Sequence, residues 1–267
     1  INQEILDQKV AYRTMYLVNS KKQLAEKFAN LQSNLSMSIP HEFRTPIHQI
    51  LSSAEFVLSR FDEVEKEDLR EMLADIKKAA NRLRRMTDNY LFYANLMVKS
   101  TNVAEIINMQ HQETINPVSI VYDSFNEIAF DLNRTEDVQF QLMDAPIAIS
   151  SEYFSKIVHE IADNCFKYSK PNTIVSIQSA IEENSLRFSI TDHGRGLTQD
   201  QIETIDAYMQ FERSSYEQQG AGLGMAIVIK IVQMHNGHFH IQSEPNKYTT
   251  VTIKLPLSYR SPAIAIE

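Results

Sequence analysis

Cysteine is almost absent from this chain of 267 residues, in which Cys165 is the single one. One cysteine cannot form a disulfide within the chain, and it cannot supply a cysteine-rich zinc or iron–sulfur site. The composition therefore excludes a disulfide framework and fits a reducing, cytoplasmic setting.

Positive charge and long hydrophobic runs are also scarce. The 26 Lys and Arg residues against 34 Asp and Glu residues give a formal net charge of -8, and no segment is basic enough to bind a nucleic-acid backbone. No uncharged apolar run approaches the roughly eighteen residues of a membrane crossing, and no secretory leader opens the sequence. We expect no nucleic-acid partner and no membrane contact by this chain. Because it begins at Ile1 without a methionine, we expect an upstream sensor, which would carry any membrane anchor.

Glycine is rare and unevenly placed. Six of the 267 residues are glycine, roughly 2% where about 7% is usual. Five of the six fall between residues 194 and 224. A chain that avoids glycine elsewhere needs backbone freedom or close ligand approach in this region.

The first third of the chain is predicted to be helical. Apolar residues recur every seven positions at Val10, Leu17, Leu24 and Leu31. This spacing indicates a coiled coil over residues 1–35. Residues 36–100 carry two long amphipathic stripes separated by a polar turn, as in an antiparallel helical hairpin. Because two helices cannot bury both stripes alone, we expect a homodimer whose two hairpins form a four-helix bundle.

The rest of the chain alternates between helical and strand patterns. After a predicted linker at 101–116, residues 117–258 are expected to form an α/β sandwich, followed by a tail at 259–267. The predicted helices cover about 118–132, 152–168, 199–208 and 223–235. The predicted strands cover about 137–142, 146–150, 173–181, 186–192, 238–243 and 249–255.

The helix predicted at 152–168 has one apolar face, and its other face carries Glu160, Asp163, Asn164 and Lys167. Taken alone, such a polar face more often faces solvent and binds no ligand. The alternative is a nucleotide-binding face, because Glu160 and Asn164 lie one turn apart and could give oxygen ligands to Mg²⁺. Lys167 would then reach a phosphate.

Two turns rich in glycine follow this helix in the sequence. A strand ends in Asp192-His193-Gly194-Arg195-Gly196, which is either an aspartate-capped turn or a site where Asp192 accepts a hydrogen bond from the adenine amine. Gly220-Ala221-Gly222-Leu223-Gly224 opens an apolar helix whose free N–H groups can bind an anion. A Rossmann-type dinucleotide turn is the competing interpretation, but it would come early in its domain.

A histidine lies on the first helix of the hairpin, within Ser38-Ile39-Pro40-His41-Glu42-Phe43-Arg44-Thr45-Pro46. A lone histidine on a helix face is usually just solvated. A histidine with the ordinary pKa, near 6.5, is largely neutral at pH 7 and offers a nucleophilic ring nitrogen. Glu42 beside it could accept the ring proton.

Together these motifs resemble those of two-component sensor histidine kinases. Residues 41–46 (HEFRTP) are similar to the H box of that family, and residues 160–168 (EIADNCFKY) are similar to its N box. Residues 192–196 and 220–224 are similar to its two glycine boxes, and Phe211-Glu212-Arg213 to its F box. The resemblance covers roughly residues 30–256, in the order and spacing of the family.

The resemblance implies an α plus α/β architecture, in which a dimerisation and histidine-phosphotransfer hairpin precedes an ATP-binding domain of the gyrase, Hsp90, histidine kinase and MutL type. It implies that ATP phosphorylates His41 with Glu42 as general base. The phosphoryl group would pass to an aspartate in the receiver domain of a response regulator. Thr45 would orient water for dephosphorylation of that regulator.

The resemblance also assigns the nucleotide site. Asn164 and Glu160 would bind Mg²⁺, Lys167 would contact phosphate and Asp192 would bind adenine. Arg213 would lie near the γ-phosphate. The other expected nucleotide-binding residues, beneath a mobile lid at about 209–221, are Tyr168, Gly194, Gly196, Gly220, Gly222, Leu223 and Gly224.

Two positions depart from the usual family pattern. Pro40 precedes the histidine where serine or alanine is more typical, and Glu160 stands where many members have asparagine. Two other functions stay open at this point. One is an ATPase of the same nucleotide fold without kinase chemistry, and the other is a dimeric scaffold or regulator-specific phosphatase without autophosphorylation.

The coiled coil at 1–35 is predicted to be an input rod, whose change of packing frees the ATP-binding domain to approach His41. Crosslinks along residues 10–31 are therefore expected to change the rate of His41 phosphorylation, measured with labelled ATP. Unchanged activity in the crosslinked protein would count against this switch.

Overall fold

A computed structural model describes Met15 and residues 39–60, 65–203, 205 and 223–258. The chain divides into two compact units, and the division falls inside a helix, between Thr87 and Asp88. Several predicted features lie outside the described residues: the coiled coil at 1–35 apart from Met15, the F box at 211–213, the lid at about 209–221 and the tail at 259–267.

The first unit is built from a helical hairpin. Its helices are α1, Ile39–Ser59, and α2, Lys66–Lys99, and the second continues past Thr87 into the other unit. Glu67 and Asp68 in the first turn of α2 complement the positive end of the helix dipole. Large apolar side chains of the hairpin are exposed, at Ile47, Leu51, Phe56, Leu58 and Leu73.

The second unit begins with the last three turns of α2 and a short helix, α3, Val103–Gln110. The sequence predicted only a linker here, because eight residues are too few to establish a helical period. Asn102 caps α3 by accepting a hydrogen bond from the N–H of Ala104 at 3.0 Å. At the other end, the side-chain amide of Gln110 donates to the carbonyl of Met234 at 2.6 Å.

Within the described residues, the remainder of the second unit is a five-stranded mixed sheet and its helices. Its elements are α4, Pro117–Asp131; a 3₁₀ turn, Thr135–Asp137; β1, Val138–Gln141; α5, Ser151–Tyr168; β2, Val175–Glu182; β3, Ser185–Asp192; α6, Leu223–Met234; β4, His238–Glu244; and β5, Tyr248–Pro256. Residues 199–203 are also helical. The strand order is β1-β2-β3-β5-β4, with β1 and β2 parallel and the other pairs antiparallel.

The helices cover one face of this sheet. A row of cross-strand partners on that face is buried, at Ile177, Ile190, Val251 and Ile241. The opposite face carries paired hydroxyl groups instead, with Ser189 3.0 Å from Thr252 and Thr191 2.8 Å from Thr250. Residues two apart on each strand share a face of the sheet, and the apolar face is the one that the helices bury.

The edges of the sheet are short or polar. β1 is four residues long, and the side chains of β4 that are exposed are all polar, at His238, His240, Gln242 and Glu244. Such edges offer little to a strand from another molecule.

The strand predicted at 146–150 is wrong. The structure forms only isolated bridges at Ile147, which exchanges hydrogen bonds of 3.0 Å with Thr114 and is also bridged to Leu257. Pro146 has no N–H to extend a ladder, and Ser150 already caps α5 by accepting a hydrogen bond from the N–H of Tyr153. Because Ser150 caps the helix only four residues after Pro146, the segment between them is too short to form a strand.

Arg134 joins the loop after α4 to the end of α5. Its buried guanidinium donates to Asp137 Oδ2 at 2.6 Å. It also donates to the carbonyls of Phe166 and Ser169 at 3.2 and 3.3 Å. The last carbonyls of a helix have no partner within the helix, so Arg134 satisfies groups that burial would otherwise leave unpaired.

Replacing Arg134 with methionine is expected to lower the free energy of unfolding by about 3–5 kcal/mol, because it leaves the buried Asp137 carboxylate without its counterion. Urea unfolding followed by circular dichroism measures the loss. The matched control is Arg187→Met, which removes a partly exposed pair with Glu182 and should cost much less, because exposed ion pairs contribute little to stability. Equal losses for the two variants would contradict the role of Arg134.

Candidate nucleotide-binding site

Asp192, the last residue of β3, places a buried carboxyl group at one end of the sheet. Its side chain is on the helix-covered face, in register with Val175 of β2 and Thr249 of β5. Burial raises the pKa of Asp192 to about 6, against the opposing effects of the Gly194 N–H and the charges of His193 and Arg134. The group is mostly ionised at pH 7 and can accept a hydrogen bond from a buried amine.

The glycine turn after Asp192 leaves no room for side chains. A Cβ on Gly194 would overlap the carbonyl oxygen of Tyr168, and a Cβ on Gly196 would overlap that of Glu244. Gly196 also has a φ of 63°, in the left-handed region that favours glycine. Gly196 thus has the backbone freedom expected from the sequence, and both glycines allow close approach of other protein atoms. The expected close approach of a ligand stays a prediction.

The C-terminal end of α5 lies against this turn. The N–H of Arg195 donates to the Tyr168 carbonyl at 3.2 Å, and the Arg195 guanidinium lies 4.1 Å from the centroid of the Tyr168 ring. The ammonium of Lys167 lies 4.9 Å from the same centroid. Two cations therefore surround one aromatic ring at the point where α5 meets the glycine turn.

Glu160 brings a second buried carboxylate to the first turn of α6. Leu223 and Gly224 begin that helix, and a Cβ on Gly224 would overlap Oε2 of Glu160. The first N–H groups of a helix have no partner within it and carry partial positive charge. The start of α6, which can attract phosphate, therefore directly adjoins the polar face of α5.

The donor set fits a hydrated Mg²⁺ ion. Asn164 lies one turn after Glu160 on α5 and is partly buried. Within the described ranges, no three His, Cys, Asp or Glu side chains are grouped to hold a metal ion. Mg²⁺ does not require such a group, because it takes one or two protein oxygens and completes its shell with water and phosphate.

The phospho-acceptor candidates lie on the hairpin. His41 and Glu42 belong to α1, and their side chains are outside what the structure describes. Thr45, one turn later, is exposed. Arg213, Gly220 and Gly222 also lie outside the described residues. The residues brought together in the second unit are Glu160, Asn164, Lys167, Tyr168, Asp192, Gly194, Gly196, Leu223 and Gly224.

Comparison with known proteins identifies both units. Residues 31–97 match the family described as the His Kinase A (phospho-acceptor) domain. Residues 150–259 match the family described as the histidine kinase-, DNA gyrase B-, and HSP90-like ATPase. The chain belongs to the two-component sensor histidine kinases. It contains their catalytic core, and the match at residues 150–259 assigns an ATP-binding domain of this family to the second unit.

Curated histidine kinases resemble the chain over most of its length. The signal transduction histidine-protein kinase ArlS of Staphylococcus haemolyticus is 30% identical over 237 residues, covering 86% of this chain and 50% of the relative. Sensor protein RprX of Bacteroides fragilis is 26% identical, covering 91% of this chain and 46% of the relative. The chain thus spans about half the length of these relatives.

Two solved structures share the fold of this histidine kinase core. The Acinetobacter baumannii histidine kinase AdeS has a TM-score of 0.57 at 15% identity, covering 82% of this chain and 98% of that chain. Full-length ShkA in complex with AMPPNP has a TM-score of 0.50 at 17% identity, covering 90% of this chain and 47% of that chain. In the described part of this histidine kinase, none of the helices combines the length and hydrophobicity that a bilayer crossing requires.

Three residues that shape the site were missed by sequence reasoning. Arg134 holds the end of α5, Arg195 covers Tyr168, and Lys156 contacts Glu160 at 2.8 Å. A signal existed for Lys156, because lysine and glutamate four residues apart on one helix commonly pair. Asp137 lies three residues after Arg134, but no pattern in the sequence indicated the other partners of Arg134, which include distant backbone carbonyls.

The raised pKa of Asp192 predicts a pH dependence of stability. Protonation of a buried carboxyl favours the folded state, so this contribution to stability is largest at low pH and falls as pH rises toward the folded pKa, about 6. Asp192→Asn should remove this contribution. The variant should therefore gain about 2–3 kcal/mol over the wild type between pH 4 and pH 7, at about 1.36 kcal/mol per pKa unit. Urea unfolding at several pH values measures the difference. The exposed Glu127→Gln should show no such gain, and a constant difference for Asp192→Asn would contradict the burial effect.

Proposed function

We propose that this chain is an ATP-dependent protein-histidine kinase that phosphorylates its own His41 and passes the phosphoryl group to an aspartate of a response regulator. The observation that supports it most is the presence, in one chain, of a phospho-acceptor domain containing His41 and a domain whose buried Asp192 adjoins two tight glycines. The histidine kinase homologues support the same reaction.

The adenine end of the nucleotide would bind at Asp192. Its ionised carboxylate accepts a hydrogen bond from the exocyclic amine, and burial makes that bond selective because an unpaired buried carboxylate is costly. Gly194 adjoins this carboxylate, because a Cβ at that position would overlap Asp192 Oδ1. Adenine recognition is thereby separated from the phosphates, which are assigned to the start of α6.

The phosphate end would bind between α5 and the start of α6. Backbone N–H groups at Leu223 and Gly224 and the ammonium of Lys167 would bind phosphate oxygens. Gly220, Gly222 and Arg213 are assigned to the same end. Bound Mg²⁺ would neutralise phosphate charge there, and Glu160 and Asn164 are the residues that would hold it.

Phosphoryl transfer to His41 forms one bond and breaks another. The neutral imidazole nitrogen attacks the γ-phosphorus, a nitrogen–phosphorus bond forms, and the bond to the leaving oxygen of ADP breaks. Glu42 accepts the ring proton. Positioning and charge neutralisation then supply most of the rate enhancement, because a loose transition state needs little covalent help.

The proposed partners follow from the same assignment. Two copies of the hairpin form a four-helix bundle, which would cover the exposed apolar side chains of α1 and α2. A response-regulator receiver domain takes the phosphoryl group, and Thr45 orients water when it is removed again. An upstream sensor domain supplies the signal in the longer protein.

Labelling with γ-labelled ATP and Mg²⁺ tests this function. The wild type should take up an acid-labile, base-stable label, and His41→Gln should lose it entirely. His48→Gln, an exposed histidine on the same helix, is the matched control and should be labelled normally. Asn164→Asp should reduce labelling by about tenfold or more if the residue holds the metal.

The rival functions give different results in that experiment. A plain ATPase would hydrolyse ATP equally well with His41→Gln and would take up no stable label. A scaffold or regulator-specific phosphatase would also show no label, while binding of the regulator persisted. Either result would overturn the kinase assignment.

A further inference from the structure

Lys156 lies between the last turns of α2 and the nucleotide-facing side of α5. Its ammonium donates to Asn89 Oδ1 at 2.6 Å and to Glu160 Oε1 at 2.8 Å. It also lies 5.4 Å from the ring centroid of Phe92, in a cation–π contact. One ammonium therefore connects a side chain of α2 to the carboxylate that adjoins the start of α6.

The charge of Glu160 depends on this contact. The Glu160 side chain is 7% exposed and that of Lys156 is 21% exposed. A carboxylate so deeply buried is costly without a charged partner. Lys156 both balances that charge and fixes which way Oε1 points, which leaves Oε2 against Gly224.

Other contacts hold the same stretch of α2 in place. The ring of Phe92 packs edge-on against Tyr153 of α5, with centroids 6.0 Å apart. The ammonium of Lys99 donates to the Tyr153 hydroxyl at 3.0 Å. Asn89 is itself buried. The position of Asn89 relative to Lys156 is thus set by three turns of helix packing.

We propose that Lys156 is a positioning residue of the nucleotide site. It fixes and neutralises the Glu160 carboxylate beside the start of α6, and Asn89 of α2 clamps Lys156 in that position. The inference rests on the proposed function, because it requires nucleotide phosphates to bind at this end of α6. A movement of α2 that withdraws Asn89 would then change the phosphate site through one side chain, that of Lys156.

Binding of a non-hydrolysable ATP analogue to the full chain, with Mg²⁺ and with EDTA, tests the proposal by calorimetry. In Lys156→Met the uncompensated Glu160 carboxylate repels the phosphates, and Mg²⁺ shields this repulsion. The Kd in EDTA should therefore rise by on the order of tenfold, the usual scale for a partner of a ligating group, and the Kd with Mg²⁺ should rise less. The ratio of the two Kd values is the readout, because general loosening of the fold would change both alike.

A second background shows whether Lys156 acts through Glu160. In Glu160→Gln the carboxylate charge is gone, so adding Lys156→Met should leave the Kd ratio where Glu160→Gln alone puts it. Lys156→Arg keeps the charge and should preserve most of the wild-type ratio. Lys170→Met, an exposed lysine just beyond α5, is the matched control and should not move the ratio.

The clamp is tested in a protein that keeps the Lys156–Glu160 pair. Asn89→Ala should shift the Kd ratio in the same direction as Lys156→Met by a smaller factor, and Asn81→Ala, an exposed asparagine of the same helix, should not. An unchanged Kd ratio in both Asn89→Ala and Lys156→Met would overturn the proposal. It would also be overturned if Lys156→Met shifted the Kd ratio as much in the Glu160→Gln background as in the wild type. A wild type that fails to bind the analogue at all would instead overturn the proposed function.

Discussion

The seating of α5 against the turn that follows β3 is the constraint on which the nucleotide site depends. The Tyr168 carbonyl accepts a hydrogen bond from Arg195 and leaves Gly194 no space for a side chain. Arg134 holds the same end of α5 through carbonyls that would otherwise be unpaired. Because α5 is fixed at this end, the polar residues from Lys167 back to Glu160 form a line along one face of the helix. The buried Asp192 lies at one end of that line and the start of α6 at the other.

Much of this arrangement could be predicted from the sequence because it depends on local patterns, namely hydrophobic periodicity and clustered glycines. The 3.6-residue period of residues 152–168 and the two-residue period of β2 and β3 gave the elements that carry Asn164 and Asp192. Clustered glycines marked the turns, since few other residues tolerate such close packing. The resemblance to histidine kinases then supplied roles for these positions, and the family comparisons confirmed the family itself.

The failures of sequence reasoning have both local and distant causes. The strand expected at 146–150 had the right side chains, but Pro146 and the capping Ser150 leave only isolated bridges at Ile147. α3 was missed because its eight residues are too few to establish a helical period, and its contact of Gln110 with Met234 joins residues more than a hundred positions apart. Lys156 and Arg134 each have one local partner, but the contacts of Lys156 with Asn89 and of Arg134 with the carbonyls of α5 join distant residues. Composition and periodicity carry no information about these distant contacts.

The polar and shortened edges of the sheet have a consequence for the dimer proposed above. In that dimer, two ATP-binding domains would be tethered to one bundle and would meet each other at a local concentration far above that of free molecules. At such concentrations, exposed edge strands would tend to pair into a shared sheet. Because one edge strand has four residues and the exposed side chains of the other are histidine, glutamine and glutamate, the two domains would collide repeatedly and still separate.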